Sequence, residues 1–445
     1  MSAKRASTGA EVGTPGAVKA TAAMRAGRLT AHAYAEQWLA RIAARETEVR
    51  AWIDFDAERA IKLADACDAT RESGAGLGLL HGVPIGVKDI LATADLPTQM
   101  GSALYAGHRP EHDAVVVQRL RSAGAYVMGK TVTTEFAFMH PGPTRNPWNL
   151  AHTPGGSSSG SAAAVAAGFV PLAIGTQTNG SIIRPAAYCG VVGFKPTAGT
   201  VPGSGCFVYS ETLDQIGLFA RSVADAALFA AVLTDEEYLP AHEYVRARPP
   251  RFAALANFPW NATQPEAARH FDATLDRLRA RGATIEPLVL PPLVSEAQAA
   301  HRTIMYYEAA RQHADARASG GAALSATLRA ALDEGAAIPG ERYRAALALR
   351  AAIMEQLNDV FEDHDAVLSP SASGTAPAGL DATGDPSFAT LWSLTGAPAI
   401  SIPDGWSSEG LPFGLQIAAA GGADALLLSV AQWCETGLAV PSNPT

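Results

Sequence analysis

Residues 155–161 read GGSSSGS, and an uncharged, alanine-rich stretch starts directly after them. Three glycines and four serines in seven positions permit a backbone turn that few other residues allow, with hydroxyls facing inward. A flexible linker of this composition would need solvated neighbours. The residues that follow, Ala162 to Gly175, carry no charge, so the run is expected to be pinned against an apolar interior. At 14 residues that stretch is too short to cross a bilayer. A short helix over Ser161–Ala167 and a strand over Leu172–Gly175 account for it better.

A second segment, Gly175 to Pro185, reads GTQTNGSIIRP. Asn and Gly tolerate positive φ, and successive backbone N–H groups in such a turn can converge on an anion. Ser181 then stands either as a nucleophile beside an oxyanion hole or as an ordinary helix N-cap. Pro185 suits the start of the helix that follows. The third feature is a lysine. The chain has only six: Lys4, Lys19, Lys62, Lys88, Lys130 and Lys195. Lys88 follows the apolar VPIGV, where burial would lower its pKa and let a neutral amine act as a general base. The plainer alternative is a strand-end lysine that reaches water or pairs with Asp89.

The chain has 445 residues, enough for about three domains or one large α/β domain. Apolar residues make up 48% and charged residues 17%, which excludes general disorder. The formal net charge is −9 and there is no basic stripe, which argues against nucleic-acid binding. Cys67, Cys189, Cys206 and Cys434 form no CxxC pair, so neither a zinc site nor a disulfide scaffold is expected, and the cytoplasm is the expected compartment. The polar N-terminus has no apolar signal region and reads as a flexible leader over residues 1–16.

Hydrophobic spacing predicts helices over 17–45, broken near Gly27, and over 57–69 and 112–123. Strands are expected at Val83–Val87, Tyr126–Met128, Ala366–Leu368, Ala399–Ile402 and Phe413–Ile417. Residues 141–160 read as a long loop, and 222–235, 264–281 and 295–360 as mostly helical. Alternating strands and helices imply one α/β domain over 17–440 with a mixed, mostly parallel central sheet and helices on both faces. Its parts would be N-terminal helices (17–70), a core (80–221), a mainly helical insert (222–360) and returning core strands (361–435).

Six blocks in order carry a family resemblance: PIGVKDI, GKTVTTEFA, NPWN, TPGGSSSGSAAAVAAG, GTQTNGSIIRPAAYCGVVGFKPT and TLDQIGLFARSVADAA. SLTGAPAISIP and GLPFGLQI match more weakly. The chain resembles the amidase signature family, serine hydrolases with a Ser–cisSer–Lys apparatus. The resemblance implies Lys88 as the base, Ser157 as a bridging serine preceded by a cis peptide, and Ser181 as the nucleophile. It implies an oxyanion hole from the N–H groups of Thr178, Asn179, Gly180 and Ser181. Neutral Lys88 would take a proton from Ser157 as Ser157 takes one from Ser181. No cofactor, metal or histidine is required by that scheme. The expected partner is a small-molecule substrate, with no nucleic acid and no membrane. Family members are often homodimers.

The chain departs from the family's usual pattern at Ser159, Gln177, Asn179 and Ile183, where many members have Gly, Asp, Gly and Arg. With Arg184 and TTEFA, this pattern is similar to malonamidase-like and aryl-acylamidase-like bacterial members, a group that includes urethanases. Arg184 would then either bind a substrate carboxylate, as in malonamidase, or brace the loop. An aryl-binding pocket would be walled by Phe136, Phe138, Met139, Tyr306, Tyr307 and Trp392. The expected activity is cleavage of a small amide, anilide or aryl carbamate through an acyl- or carbamoyl-enzyme on Ser181. The alternatives are a malonamidase-like hydrolase using Arg184, and a partner-dependent amidotransferase subunit that feeds ammonia to a second protein. A rival motif, G-x-S-x-G over residues 156–160, would make Ser158 the nucleophile of an α/β-hydrolase elbow. The Pro- and Asn-rich sequence before it reads as loop rather than the strand such an elbow needs.

Overall fold

The computed structural model describes residues 14–234 and 248–438. Eleven strands form one sheet: β1 (Trp52–Phe55), β2 (Pro84–Lys88), β3 (Tyr126–Thr131), β4 (Leu172–Gln177), β5 (Val192–Lys195), β6 (Gln215–Ala220), β7 (Arg251–Ala254), β8 (Thr284–Pro287), β9 (Ala366–Pro370), β10 (Ala399–Trp406) and β11 (Pro412–Ala418). Their spatial order is β1-β3-β2-β4-β6-β5-β10-β11-β9-β7-β8. The first helices are α1 (Ala17–Arg25), α2 (Ala31–Val49), α3 (Ala57–Glu72) and α4 (Val115–Ser122). Next come α5 (Ser159–Ala166), α6 (Ile183–Cys189), α7 (Val223–Leu233) and α8 (Pro265–Ala280). The remainder are α9 (Ala297–Gln312), α10 (Ala314–Ser319), α11 (Ala326–Ala337), α12 (Gly340–Asp363), α13 (Thr390–Thr395) and α14 (Asp424–Leu438). None of the described helices is long and apolar enough to cross a membrane.

The sheet is mixed, as expected, but it is not mostly parallel. Four pairings are parallel, all of them near the two ends. Six are antiparallel and include the whole middle, from β4 through β6, β5, β10 and β11 to β9. Two sequence expectations miss for one reason. Strands β5 to β8 are four to six residues long, too short for periodicity to mark them. Two of them, β7 and β8, lie inside the segment expected to be a helical insert, and they extend the sheet to its far edge. The expected returning strands are accompanied by α13 and α14.

Side chains alternate across the sheet. Ile85, Val87, Leu172, Ile174, Leu368, Ile400, Ile402, Leu415 and Ile417 all enter one continuous apolar cluster. The opposite face is divided. Tyr126, Met128 and Ala173 join a cluster built with α2 and α5, while Val367, Ala399 and Ala418 join one built with α9, α11 and α13. Covered on both faces, these strands read as unbroken apolar runs. The first described residues are docked against this body, unlike the leader expected over 1–16. The Pro15 carbonyl accepts from the Tyr34 hydroxyl at 2.9 Å, and the Thr14 carbonyl from Arg221 at 2.8 Å. The rest of that expected leader, residues 1–13, lies outside the described residues.

Candidate active site

Lys88 is the last residue of β2 and is fully buried. Its Nζ donates to the Ser157 hydroxyl at 2.7 Å and to the Thr176 hydroxyl at 2.8 Å. Asp89 does not pair with it. That carboxylate faces Lys130 Nζ at 3.5 Å. Loss of hydration lowers the Lys88 ammonium to about 7, against the opposing pull of the Cys206 thiol and the Asp214 carboxylate. The lysine therefore has a substantial neutral fraction near neutrality, in hydrogen-bond contact with a serine.

That serine is held from three sides. The Gly156–Ser157 peptide is cis. The Ser157 carbonyl accepts from Thr134 N at 3.2 Å, and the Gly156 carbonyl from the Arg184 guanidinium at 2.6 Å. Gly155 sits at φ 82, where a Cβ would lie 2.8 Å from Pro185 Cα, so only glycine suits the turn. The rest of the run is stitched to the sheet and is no linker. Ser158 Oγ donates to the Thr176 carbonyl at 3.1 Å and Ser161 Oγ to the Ile174 carbonyl at 3.0 Å. Ser158 is fully buried in this bond, and α5 follows a loop rather than a strand, which removes the α/β-hydrolase elbow.

Ser181 lies in the turn between β4 and α6, at the seam of the divided face: Ile182 packs into one cluster and Ile183 into the other. Three carbonyls of this turn have partners. Thr178 O accepts from His301 Nε2 at 2.9 Å, Asn179 O from the Ser393 hydroxyl, and Gly180 O from Arg184 N at 3.0 Å. The N–H groups of Thr178, Asn179, Gly180 and Ser181 make no hydrogen bond among the described residues. Burial lowers His301 to about 4, so the ring is neutral with its proton on Nε2. The Thr178 hydroxyl donates to Asp214 at 2.5 Å. The resulting nest of free donors beside a serine can hold an oxyanion. No hydrogen bond joins the Ser181 hydroxyl to a described residue, so the contact present is the Lys88–Ser157 half of the expected relay.

Arg184 is buried, with Nη1 on the Gly384 carbonyl at 2.7 Å and Nη2 on that of Gly156. Both ends of its fork are committed to backbone, and burial lowers it to about 10. It ties the loop before Ser157 to the segment around Gly384.

A cavity of about 320 Å³ adjoins the site. Its lining includes Thr176, Thr178, Thr212 and Asp214 together with Ile90, Cys206 and Phe207. None of the six expected aryl-pocket residues lines it. Phe136 packs on Tyr105 and Phe207, and Phe138 stacks on Tyr209 and meets Tyr306 edge-on. Tyr307 stacks on Tyr343 at 4.0 Å, Trp392 is fully buried, and Met139 is on the surface. Phe136, Phe138, Tyr306 and Trp392 are large and apolar because they fill one core cluster, with Tyr307 at its margin. Asp214, His301 and Ser393 complete the site from distant segments; Asp214 and Ser393 fall in family-matching blocks that could have pointed to them, whereas nothing in the local sequence marks His301.

Comparison with known proteins finds matches along nearly the whole chain. The model of the Amidase family matches residues 33–428. A curated relative from Chloroflexus aggregans, one of the subunits of its glutamyl-tRNA(Gln) amidotransferase, is 34% identical over 89% of this chain and 90% of its own. A solved amidase superposes with a TM-score of 0.88 at 32% identity, covering 95% of this chain and all of that one. The peptide amidase of Stenotrophomonas maltophilia gives 0.82 at 29%, covering 98% and 99%. A chain of a vestigial protein complex described as revealing the evolutionary origins of an s-triazine catabolic enzyme gives 0.87 at 28%, covering 95% and 99%.

Proposed function

The chain belongs to the amidase signature family, and on that premise we propose that it hydrolyses the carbon–nitrogen bond of a small amide through an acyl-enzyme on Ser181. The observation that carries this reading is the 2.7 Å bond from a buried, easily deprotonated Lys88 to Ser157, beside a turn of unpaired N–H groups. Ser181 Oγ attacks the carbonyl carbon as its proton passes to Ser157, whose own proton passes to Lys88. The N–H groups of Thr178 to Ser181 hold the negative oxygen, and one such donor is worth about 10²–10³ in rate. The carbon–nitrogen bond breaks as the nitrogen takes the proton back through Ser157. Water, activated by the same relay, then releases the acid.

The finer substrate assignment shifts from the sequence expectation. An anilide or aryl carbamate needs an aryl wall, and the expected aromatic residues are packed away from the cavity. A malonamate-like carboxylate needs a free cation, and Arg184 is committed to two carbonyls. A small polar amide suits the threonine hydroxyls of Thr176, Thr178 and Thr212 among the cavity's lining residues. A second reading has specific support: the curated relatives are amidotransferase subunits. In it this chain performs the same amide cleavage as one part of a complex, and it is better supported than cleavage of aryl carbamates.

The test is amine or ammonia release by the purified chain from glutamine, malonamate, an acyl anilide and an aryl carbamate, with Ser181→Ala alongside. Release from a small amide by the chain alone, abolished in Ser181→Ala, supports the free-standing hydrolase. Turnover confined to the anilide or carbamate would restore the aryl reading. No turnover by the chain alone would favour the subunit reading.

A further inference from the structure

We propose that Gln177 and Ser393 form a positioning bridge that sets the oxyanion turn of this chain, an inference that rests on the assignment of Ser181 as nucleophile. Gln177 ends β4, and its side chain reaches over the turn it introduces. Its Oε1 accepts from the backbone N–H of Ile182 at 2.7 Å and of Ile183 at 3.0 Å. Both partners are donors only, so the atom facing them is the oxygen and the amide orientation is fixed. The Nε2 group therefore faces Ser393 Oγ, to which it donates at 2.9 Å. A hydroxyl has a single proton. Because Ser393 accepts from Gln177, that proton is free to go to the carbonyl of Asn179.

The bridge thus has one direction, from Gln177 through Ser393 to Asn179. Thr390, one helical turn before Ser393 on α13, donates to Asn179 Oδ1 at 2.8 Å. Together these bonds pull the Asn179 carbonyl and side chain towards α13. They leave the N–H groups of residues 178–181 on the other side, facing the position of a reacting carbonyl oxygen. Gln177 and Ser393 are buried and Asn179 is partly buried, and a buried polar group that loses its partner is costly. A carboxylate at position 177 would break the bridge. Its second oxygen cannot donate, so Ser393 of this chain would turn its proton towards it and release Asn179.

The experiment needs no knowledge of the substrate. A fluorophosphonate probe phosphonylates an activated serine: the Oγ–P bond forms, fluoride leaves, and the serine proton passes to the base. The phosphoryl oxygen, which carries partial negative charge, sits where an amide oxyanion would. Labelling rates are measured for wild type, Ser393→Ala, Ser393→Thr and Gln177→Glu, with the labelled residue located by mass spectrometry and melting temperatures taken in parallel. The proposal expects a loss of about tenfold or more in Ser393→Ala and a comparable one in Gln177→Glu. It expects substantial recovery in Ser393→Thr, which keeps the hydroxyl, without a matching order in melting temperature. Labelling of folded Ser393→Ala within twofold of wild type would overturn the bridge while leaving Ser181 as nucleophile. Label on a serine other than Ser181 would overturn the nucleophile assignment and the bridge with it.

Discussion

At the scale of single residues the account turns on Lys88. It is the base only when neutral, so the rate should be full above its pKa and fall as pH drops through about 7. Below that point the loss should approach tenfold per pH unit. A pH–rate profile of kcat/KM checks this, and a flat profile between pH 5 and 8 would exclude Lys88 as base. The same shift has a sign for stability. Unfolded Lys88 holds its proton up to its ordinary 10.5, so burial costs most below about 7 and is relieved as pH rises from there. Arg184 gives a second residue-scale prediction. Arg184→Met strips a donor from the Gly156 and Gly384 carbonyls, each at a cost of about 1–3 kcal/mol. Neutral and carboxylate-bearing amides should lose activity alike; a selective rise in KM for the carboxylates would instead make Arg184 a substrate ligand. At this scale the sequence was most legible where chemistry and backbone constraint coincide. The positions expected for Lys88, Ser157, Ser181 and the turn before it converge in space. The aromatic residues were misplaced because a large apolar side chain reads the same in a core as in a pocket.

At the scale of elements, legibility followed length. Helices α2, α3, α8 and α12 have enough turns for a 3.6-residue pattern to stand out, and the doubly buried strands β2 and β4 show as apolar runs. The strands β7 and β8 carry four residues each and were hidden between helices. Helix α13, six residues long, was not anticipated either, although it brings Thr390 and Ser393 onto the oxyanion turn. Packing of α11 on α9 yields a prediction here. A Cβ at Gly335 would fall 1.9 Å from the Tyr306 carbonyl oxygen. Gly335→Ala should therefore destabilise the fold by about 1–3 kcal/mol, read from a denaturant midpoint. An unchanged midpoint would mean that the two helices are not in such close contact.

At the scale of the whole molecule, one sheet joins segments from residue 52 to residue 418. The site stands where the divided face of that sheet meets, so its parts come from β2, β4, α6, α9 and α13 together. This explains why a distant partner such as His301 was not readable: its role exists only after the sheet has assembled. The family was legible because its blocks lie in the contiguous stretch that builds the two serine segments and Lys88. Substrate and assembly were not, because they depend on cavity walls supplied by less distinctive sequence.

The central claim is that Ser181 becomes acylated. The most direct measurement is rapid-quench mass spectrometry of the chain during turnover of whichever amide it cleaves, with the Ser181 peptide isolated after digestion. The account predicts a mass increase equal to the acyl group on that peptide, present in wild type and absent in Ser181→Ala. Turnover with no adduct on Ser181 under conditions that trap slower deacylation, or an undiminished rate in Ser181→Ala, would contradict it.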